Sequence, residues 1–350
     1  MPSLAVYPIA FLSTAALIHL LSPVARHIGL IDVPRGHKTH QGEVPLVGGI
    51  AMFCGFLFAI LAVPVSLAEL RPLFAGAALL VIVGVLDDFH ELHPHSRFVA
   101  QIAAAALMTL WGGVTLQDLG HLLRPEPALL GPWAVAFTVF SVVGVINAFN
   151  MLDGMDGLAG GYALLAFTLL AAAALAAGVT VSAVALLTLG ATVAAFLLAN
   201  LRLWFRPRAL VFMGNSGSLF LGLALAWFVV RLSQGEGRAI DPVTALWILA
   251  IPLMDTVGIM LRRTLHRRSP LLPDREHLHH LLRALGLSVN GALTVILGTG
   301  LVLAAAGFCA HWLGVPERYQ FAAFLTLFSV YLVAMEVTWR RLNGRAVATD

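Results

Sequence analysis

The sequence predicts an all-α fold, a polytopic transmembrane helical bundle of about eleven spans. Hydrophobic residues make up 59% of the 350 residues and charged residues only 11%, whereas an ordinary soluble domain carries about 25% charged residues. Apolar runs close to the length of a membrane-spanning helix recur along the whole chain. No polar segment is long enough for a separate soluble domain, so we expect a single integral-membrane domain over residues 1–350.

The eleven predicted spans follow the apolar runs in order, and each is expected to be a helix because a helix satisfies its own backbone in lipid. The first has no basic leader and no clear cleavage site, so we interpret it as a retained helix rather than a signal peptide. The third is short, which favours a tilted or interrupted helix. Cys54 and Cys309 lie within apolar runs and are interpreted as small buried hydrophobic residues. The spans cover residues 4–21, 46–65, 72–86, 98–112, 132–149, 161–178, 180–200, 217–232, 242–261, 291–313 and 320–339.

The distribution of Lys and Arg predicts the orientation of the bundle. One set of loops contains sixteen of the 21 basic residues, and the opposite set contains five. The positive-inside rule places the richer set in the cytoplasm, with the N-terminus outside and the C-terminus cytoplasmic. All the polar clusters discussed below fall on the cytoplasmic side, whereas the longest outer loop, residues 113–131, is expected to form a small hairpin.

Four polar side chains recur at every third position directly after the fifth apolar run: Asn147, Asn150, Asp153 and Asp156. Polar groups at the edge of the hydrocarbon are costly and usually mark function. A spacing of three would spread them around an ideal helix. We therefore expect Gly154 and Gly157 to end the helix after Asn150 and to let both Asp residues fold back. The resulting pocket of oxygens would suit magnesium; the alternative is simple capping of helix ends.

Two other polar groups lie at the ends of predicted helices. Asp87 and Asp88 follow the third span. Adjacent carboxylates repel each other and need a cation, a basic neighbour or water, although such a pair can also merely terminate a helix. Gly214–Ser218 precedes the eighth span and would form a helix N-terminus that cradles an anion. Phe212 would offer an aromatic face to a base; the alternative is an ordinary N-cap with a flexible turn.

Basic residues occupy two cytoplasmic loops. Residues 262–290 form the longest loop, a predicted substrate-recognition loop, and its patch would suit a phosphate or a sugar. That patch consists of Arg275, His277, His279 and His280. Zinc is a rival ligand, but the spacing is not HExxH and no Cys accompanies it; a solvated histidine loop is a third interpretation. Lys38 and His40 in the first loop would place cations near the membrane surface. The alternative is that they only anchor the loop on the cytoplasmic side.

Together these clusters suit a pyrophosphate. Carboxylates and amides alone would repel an anion, whereas a divalent cation, a glycine-rich turn and an Arg/His patch would attract it. The chain has no GxxxxGK[ST] motif, which argues against a P-loop ATPase. A site at the inner membrane face would join a soluble nucleotide donor to a lipid acceptor, in a transfer that depends on positioning and charge neutralisation.

Five segments in combination resemble the polyprenyl-phosphate N-acetylhexosamine-1-phosphate transferases: VLDDFHEL, NAFNMLDGMDGLAGG, FMGNSGS, IPLMDT and SPLLPDREHLHH. The resemblance implies magnesium-dependent transfer of GlcNAc-1-phosphate from UDP-GlcNAc to undecaprenyl phosphate, with release of UMP; Mn²⁺ is the alternative ion. It further implies the first membrane step of O-antigen or common-antigen synthesis, at the cytoplasmic face of a bacterial inner membrane. Family members are often homodimers, and no nucleic-acid partner is expected.

The resemblance also implies roles for individual residues. Asp87 would be the base for the lipid phosphate, or would order that step. Asn150 would be an amide ligand of magnesium, and Phe212 would lie beside the uracil. The other implied catalytic residues are Asp88, Asp153 and Asp156. The remaining residues assigned to substrate binding are Lys38, His40, Asn147, Arg275, His277, His279 and His280.

One position departs from the family pattern. The family usually has Asp, a principal magnesium ligand, where this chain has Asn215. An amide oxygen can still coordinate a metal but brings no charge, so we expect Asn215→Asp to raise magnesium affinity with little effect on folding. Two alternatives to the function remain: the same chemistry with another UDP-N-acetylhexosamine, and a membrane transporter with an ion site. Transporters place charges near the bilayer centre, often in inverted repeats, whereas here the charges cluster at one face.

Overall fold

The structure, a computed structural model, describes residues 4–33, 42–62, 68–267 and 276–347. The predicted site residues Lys38, His40 and Arg275 therefore lie outside the described residues. The described chain is mostly helical with very little extended structure, which confirms the all-α part of the predicted fold class. Its first eight α-helices are α1 (Val6–Ile28), α2 (Gly48–Leu61), α3 (Arg71–His90), α4 (Pro94–Ala106), α5 (Ala134–Leu152), α6 (Leu158–Ala176), α7 (Thr180–Asn200) and α8 (Gly214–Ser233). The last five are α9 (Pro242–Ile248), α10 (Ala250–Leu265), α11 (Leu278–Ala284), α12 (Val289–Trp312) and α13 (Glu317–Val347).

All eleven predicted spans coincide with helices, but not all of these helices are long enough to cross a bilayer. Eight are long and apolar enough, and α9 with α10, bent by 79°, would make a ninth if the pair is one span. α2 has only 14 residues, and α4 has 13 before it continues as a π-helical stretch over Leu107–Trp111; a span needs roughly 20. Within the described ranges the structure thus supports eight or nine spans. The count of eleven and the orientation of the termini stay predictions.

Extended structure in the described chain is limited to short pairings. β1 (Ile31–Asp32) pairs antiparallel with β2 (Val44–Pro45). The small hairpin expected within residues 113–131 is present: a bridge joins Asp118 to Leu129.

One interpretation from the sequence is wrong. Cys309 is exposed on α12, and Cys54 is only partly buried. An apolar residue on a membrane helix does not need a protein neighbour, because lipid tails satisfy it equally well.

The chain divides into two compact units, residues 1–117 with 130–239 and residues 118–129 with 240–350. Whether they act as the single domain expected from the sequence stays a prediction. In the first unit α8 is the central helix: 94% of its most apolar 18-residue stretch is buried, and it packs against α2, α3, α5 and α6. The site described below lies where these helices meet.

Glycine permits the closest of these approaches. A Cβ atom added to Gly84 on α3 would lie 2.4 Å from the backbone of Ser216 on α8, a distance that no side chain tolerates. Small residues let membrane helices approach until their backbones touch. The N-terminus of α8 is thereby held directly beside the end of α3, which carries the acidic pair.

The second unit packs α12 and α13 against α9 and α10. Its core contains Ala250, Met254 and Phe324, with Trp247 packed against them. The rings of Trp247 and Phe324 meet edge to face with centroids 5.8 Å apart, a favourable aromatic arrangement. In α13 only 11% of the most apolar stretch is buried inside the protein. An apolar helix with so little of its surface covered is what one expects of a helix that faces lipid.

Candidate active site

Asp87 lies near the C-terminus of α3 and is buried. Its Oδ1 accepts a hydrogen bond from the backbone N–H of Leu92 at 2.8 Å, and its Oδ2 forms an ion pair with Arg97 Nη1 at 3.1 Å. Both oxygens therefore have protein partners. Arg97 supplies the basic neighbour that the sequence argument required, but its identity was missed, because no periodicity links residues ten apart across a helix end.

Asp88 points in a different direction from Asp87, as expected for adjacent residues. Its Oδ1 accepts hydrogen bonds from the backbone N–H and the side-chain Nδ2 of Asn215, each at 3.0 Å. Its Oδ2 is buried and has no hydrogen-bond partner among the described residues. Such an atom is costly unless something else binds it.

A glycine lies directly beside this oxygen, where a residue with a side chain would not fit. A Cβ atom on Gly214, whose φ is +71°, would lie 2.5 Å from Asp88 Oδ2. Gly214 also begins α8, which confirms that the glycine-rich turn forms a helix N-terminus. The hydroxyls of Ser216 and Ser218 lie inside the protein, and both residues are fully buried.

A hydrogen-bonded network joins three helices around Asn215. Asn150 on α5 donates from Nδ2 to Asn215 Oδ1 at 2.9 Å and to Ser218 Oγ at 2.8 Å. Asn215 in turn donates to Asp88 on α3. The two predicted metal-ligating amides and one predicted catalytic carboxylate are thus in contact. The orientation of each amide follows from this network.

Asn147 lies one turn earlier on α5 and has different partners. Its Nδ2 donates to Gln101 Oε1 at 2.6 Å and to the carbonyl of Val143 at 2.8 Å. Gln101 is buried on α4, so this amide pair joins α4 to α5. A part for Asn147 in substrate binding stays a prediction.

The two remaining acidic residues lie in the turn after α5. The helix ends at Leu152, two residues later than predicted, and the N–H of Asp153 caps it by donating to the carbonyl of Asn150. Burial raises the pKa of Asp153 well above its usual range, and the negative charges of Asp88 and Asp156 raise it further. Asp156 itself forms an ion pair with Arg202 Nε at 2.6 Å, a second basic partner that the sequence argument missed.

Two backbone hydrogen bonds hold Phe212 in place. Its N–H donates to the carbonyl of Pro45 at 2.9 Å, and its carbonyl accepts from the N–H of Gly48 at 3.0 Å. The start of α2 and the segment before α8 are thus tied together two residues before Gly214. This fixes the position of Phe212 at the entrance to α8; its proposed contact with a base stays a prediction.

In the second unit the histidine cluster, His277, His279 and His280, is packed together at the start of α11. His277 and His279 stack with centroids 5.6 Å apart and planes 9° apart. Burial, reinforced by charge on His280 and His277 and opposed by Asp255, lowers the pKa of His279 to about 3, so its imidazole is neutral at physiological pH. Its Nε2 is buried without a hydrogen-bond partner in the described part of the chain.

A carboxylate that the sequence argument did not single out holds this cluster. Asp255 on α10 accepts from His277 Nδ1 at 2.8 Å. The described residues contain no group of three or more His, Cys, Asp or Glu side chains arranged to hold a metal ion. Any ion at these sites would therefore need amide, water or substrate oxygens as additional ligands.

Comparison with known proteins gives the family. The sequence model described as glycosyl transferase family 4 matches residues 70–233. The undecaprenyl-phosphate alpha-N-acetylglucosaminyl 1-phosphate transferase of Yersinia pestis is 39% identical over 331 residues, covering 94% of this chain and 90% of the relative. The proteins of the same name from Escherichia coli K12 and Haemophilus influenzae are each 36% identical, over 94% and 95% of this chain and 90% and 94% of the relatives.

The chain belongs to the undecaprenyl-phosphate alpha-N-acetylglucosaminyl 1-phosphate transferase family. This confirms the resemblance seen in the sequence. It also confirms the enzyme class: the chain is a transferase and a multi-pass membrane protein. The family 4 match includes every residue of the network around Asn215. It ends before α9, so the histidine cluster of this transferase lies outside it.

Proposed function

We propose that this transferase moves GlcNAc-1-phosphate from UDP-GlcNAc to undecaprenyl phosphate. A lipid phosphate oxygen would form a bond to the phosphorus that carries the sugar, and the bond from that phosphorus to the bridging oxygen would break, so that UMP leaves. The observation that carries the proposal is the network of Asp88, Asn150 and Asn215 with its unpartnered carboxylate oxygen. The names of the relatives support the lipid acceptor and the transferred group.

The residues present fit a divalent cation. The buried Oδ2 of Asp88 lacks a partner among the described residues, and Gly214 places no side chain of its own against it. Magnesium is usually bound by only one or two carboxylates together with waters and substrate phosphates. We propose that Asp88, Asn150 and Asn215 would hold Mg²⁺, with Mn²⁺ as the alternative. When bound, the ion would neutralise negative charge on the diphosphate of the donor.

The remaining acidic residues would organise the surroundings of this site. Because both oxygens of Asp87 are engaged, the geometry favours the ordering role over that of a free base: Asp87 fixes Arg97 at the end of α3. Asp153, with its raised pKa, would retain or bind a proton more readily than an ordinary carboxyl. Asp156 fixes Arg202. Each arginine is thereby a fixed cation near the site, and we propose that both favour anionic substrates there.

We propose the cellular setting of the reaction from the charge pattern of the loops and from the family. The excess of Lys and Arg on one set of loops favours a site on the cytoplasmic face of a bacterial inner membrane. The product would begin an O-antigen or common-antigen type of polysaccharide, and the working form would be a homodimer.

Release of UMP by the purified chain is the decisive test. Activity should require UDP-GlcNAc, a polyprenyl phosphate and Mg²⁺ together, and omission of any one should abolish it. UDP-GalNAc in place of UDP-GlcNAc tests the alternative donor. UMP release without the lipid phosphate would contradict the proposal, as would a preference for UDP-GalNAc.

A further inference from the structure

The loop between α7 and α8 contains an exposed aromatic hairpin that the proposed reaction has not used. Leu203 and Arg206 exchange two backbone hydrogen bonds, of 2.8 and 2.9 Å, which leaves Trp204 and Phe205 as the two residues of the turn. Trp204 is 95% exposed and Phe205 64%, and their rings meet edge to face with centroids 5.3 Å apart. We call these two side chains the aromatic tip. Large apolar side chains exposed together mark a surface that contacts a partner or a membrane.

The hairpin is fastened to the end of α7. The guanidinium of Arg206 donates to the carbonyls of Leu198 and Leu201. The first of these belongs to the last turn of the helix, where carbonyls have no partner within the helix. Leu210 returns to the same helix end and donates its N–H to the carbonyl of Ala199 at 2.8 Å. Hydrogen bonds at both ends of the loop therefore hold the aromatic tip in its exposed position.

The length of α7 gives the depth of the tip in a membrane. The helix has 21 residues and is apolar enough to cross a bilayer. At 1.5 Å per residue it is about 31 Å long, which matches the roughly 30 Å of hydrocarbon in a bilayer. A turn held against the end of such a helix lies among the lipid headgroups. Aromatic side chains are enriched at that level, Trp in particular, because the indole has an apolar body and a polar N–H.

The residues around the tip suit a lipid surface. Leu198, on the last turn of α7, and Leu210 are both exposed, so the apolar surface of the helix continues as far as the tip. Arg208 is exposed on the same loop and adds positive charge, which anionic headgroups attract. Apolar side chains for the acyl chains and basic side chains for the headgroups are the chemistry of an interfacial segment.

The same loop is joined to the candidate site. Arg202, directly before Leu203, forms the ion pair with Asp156 at 2.6 Å. The side-chain oxygen of Asn200 accepts from the N–H of Gly157 at 2.7 Å. The acidic turn after α5 is thus fixed to the segment that carries the aromatic tip, and a contact that holds the tip also holds this turn.

We propose that the aromatic tip is a membrane anchor, which inserts Trp204 and Phe205 between the headgroups of the leaflet next to the candidate site. The occupant of this surface is the lipid itself. Through Arg202 and Asp156 the anchor would set the height of the acidic turn relative to the headgroup phosphates, where the phosphate of a lipid acceptor would lie. The anchor stands on the hairpin and α7 alone, whereas its effect on the acceptor rests on the proposed function.

Quenching by labelled lipids tests the anchor directly. The full-length chain with Trp204→Cys as its only cysteine, after Cys54→Ala and Cys309→Ala, carries a fluorophore in vesicles of phosphatidylethanolamine and phosphatidylglycerol. Nitroxides near the headgroup end of the acyl chain should quench the label strongly, whereas nitroxides at the terminal methyl and aqueous iodide should quench it weakly. Glu236→Cys, exposed in the loop after α8, is the control, and iodide should quench its label strongly.

Kinetics in the same vesicles test the connection to the site. Trp204→Ser combined with Phe205→Ser should leave the melting temperature nearly unchanged, because both side chains are exposed. It should raise the KM for polyprenyl phosphate roughly 10-fold and leave the KM for UDP-GlcNAc within about twofold. Tyr at both positions keeps amphipathic rings and should restore most of the acceptor affinity. Leu123→Ser, the same kind of change at an exposed residue of the second unit, should alter neither KM.

The possible outcomes separate the anchor from the reaction. Equal iodide quenching at positions 204 and 236, without quenching by lipid nitroxides, would overturn the anchor. Cross-linking between two copies of the chain through Trp204→Cys, with the label shielded from lipid, would also overturn it. An unchanged KM for polyprenyl phosphate in the double Ser variant would overturn the connection to the site. Lipid quenching at position 204 in a protein whose wild type releases no UMP from UDP-GlcNAc would support the anchor and overturn the proposed function.

Discussion

Introducing an acidic residue at position 215 tests two things together: the proposed metal site, and the effect of the added charge on the stability of the fold. In the structure Asn215 Nδ2 lies 3.0 Å from Asp88 Oδ1. In Asn215→Asp an oxygen replaces that nitrogen, so a hydrogen bond becomes a contact between two carboxylates. The near-identity of the two side chains predicted little effect on folding; the geometry predicts otherwise when no metal is bound.

The magnitude follows from the distance. Two unit charges about 4 Å apart repel by about 4 kcal/mol at an effective dielectric constant of about 20, and the lost hydrogen bond to a charged group adds about 1.5–3 kcal/mol. A proton shared between the carboxylates limits the sum. We expect the metal-free variant to be destabilised by a few kcal/mol. If bound Mg²⁺ relieves about 2 kcal/mol of repulsion, its affinity should rise roughly 30-fold.

Two measurements check this reasoning. Thermal unfolding in EDTA should occur at a lower temperature for Asn215→Asp than for the wild type, and added Mg²⁺ should reverse the difference. UMP release should saturate at a lower Mg²⁺ concentration. Asn290→Asp, which adds the same charge at an exposed position near the start of α12, is the control and should change neither curve. Coincident curves for Asn215→Asp and the wild type in both assays would refute the assignment of residue 215 as a ligand.

The other predictions concern the acidic residues and the topology. Asp88→Asn should lower turnover by at least about 100-fold and raise the Mg²⁺ requirement, whereas Asp87→Asn should lower turnover by a similar factor with an unchanged Mg²⁺ requirement; identical behaviour of the two would contradict their separate tasks. The raised pKa of Asp153 means that its ionisation disfavours the folded state as pH rises above about 4, the usual value for the unfolded chain. Asp153→Asn should therefore unfold at a higher temperature than the wild type at pH 7 in EDTA, and this gain should disappear as the pH is lowered towards 4; a gain that persists at low pH would exclude a titrating carboxyl as its cause. Cysteines introduced for His90 and Arg283, both exposed, should resist an impermeant reagent in sealed cells and react after lysis; labelling from outside at either position would reverse the proposed orientation.

The helices were predictable because hydropathy acts locally. Every apolar run became a helix, since a chain in lipid has few other ways to satisfy its backbone. Span number was less predictable, because helix length depends on where the chain turns: α2 stops at Leu61, and the predicted span 242–261 bends at Leu249. An apolar run does not reveal such turns.

The contact among Asp88, Asn150 and Asn215 could be anticipated from their positions at helix ends on one predicted face. The basic partners of the other two carboxylates, Asp87 and Asp156, could not be anticipated. Arg97 and Arg202 pair with carboxylates 10 and 46 positions away, and pairings over such distances depend on tertiary packing rather than on periodicity. In the sequence Asp255 stood out only as part of a segment that resembles the family. Its role as a link could not be predicted, because its partners come from two separate helices.

The contact between Gly84 and Ser216 gives a residue without a side chain a share in the geometry of the candidate site. A methyl group at position 84 would displace the first turn of α8 and carry Asn215 away from Asp88, although every polar group would remain in the sequence. A search for loss-of-function alleles should therefore recover position 84 beside the acidic pair. The close approach of two backbones is therefore as necessary to the hydrogen-bonded network as the carboxylate of Asp88 itself.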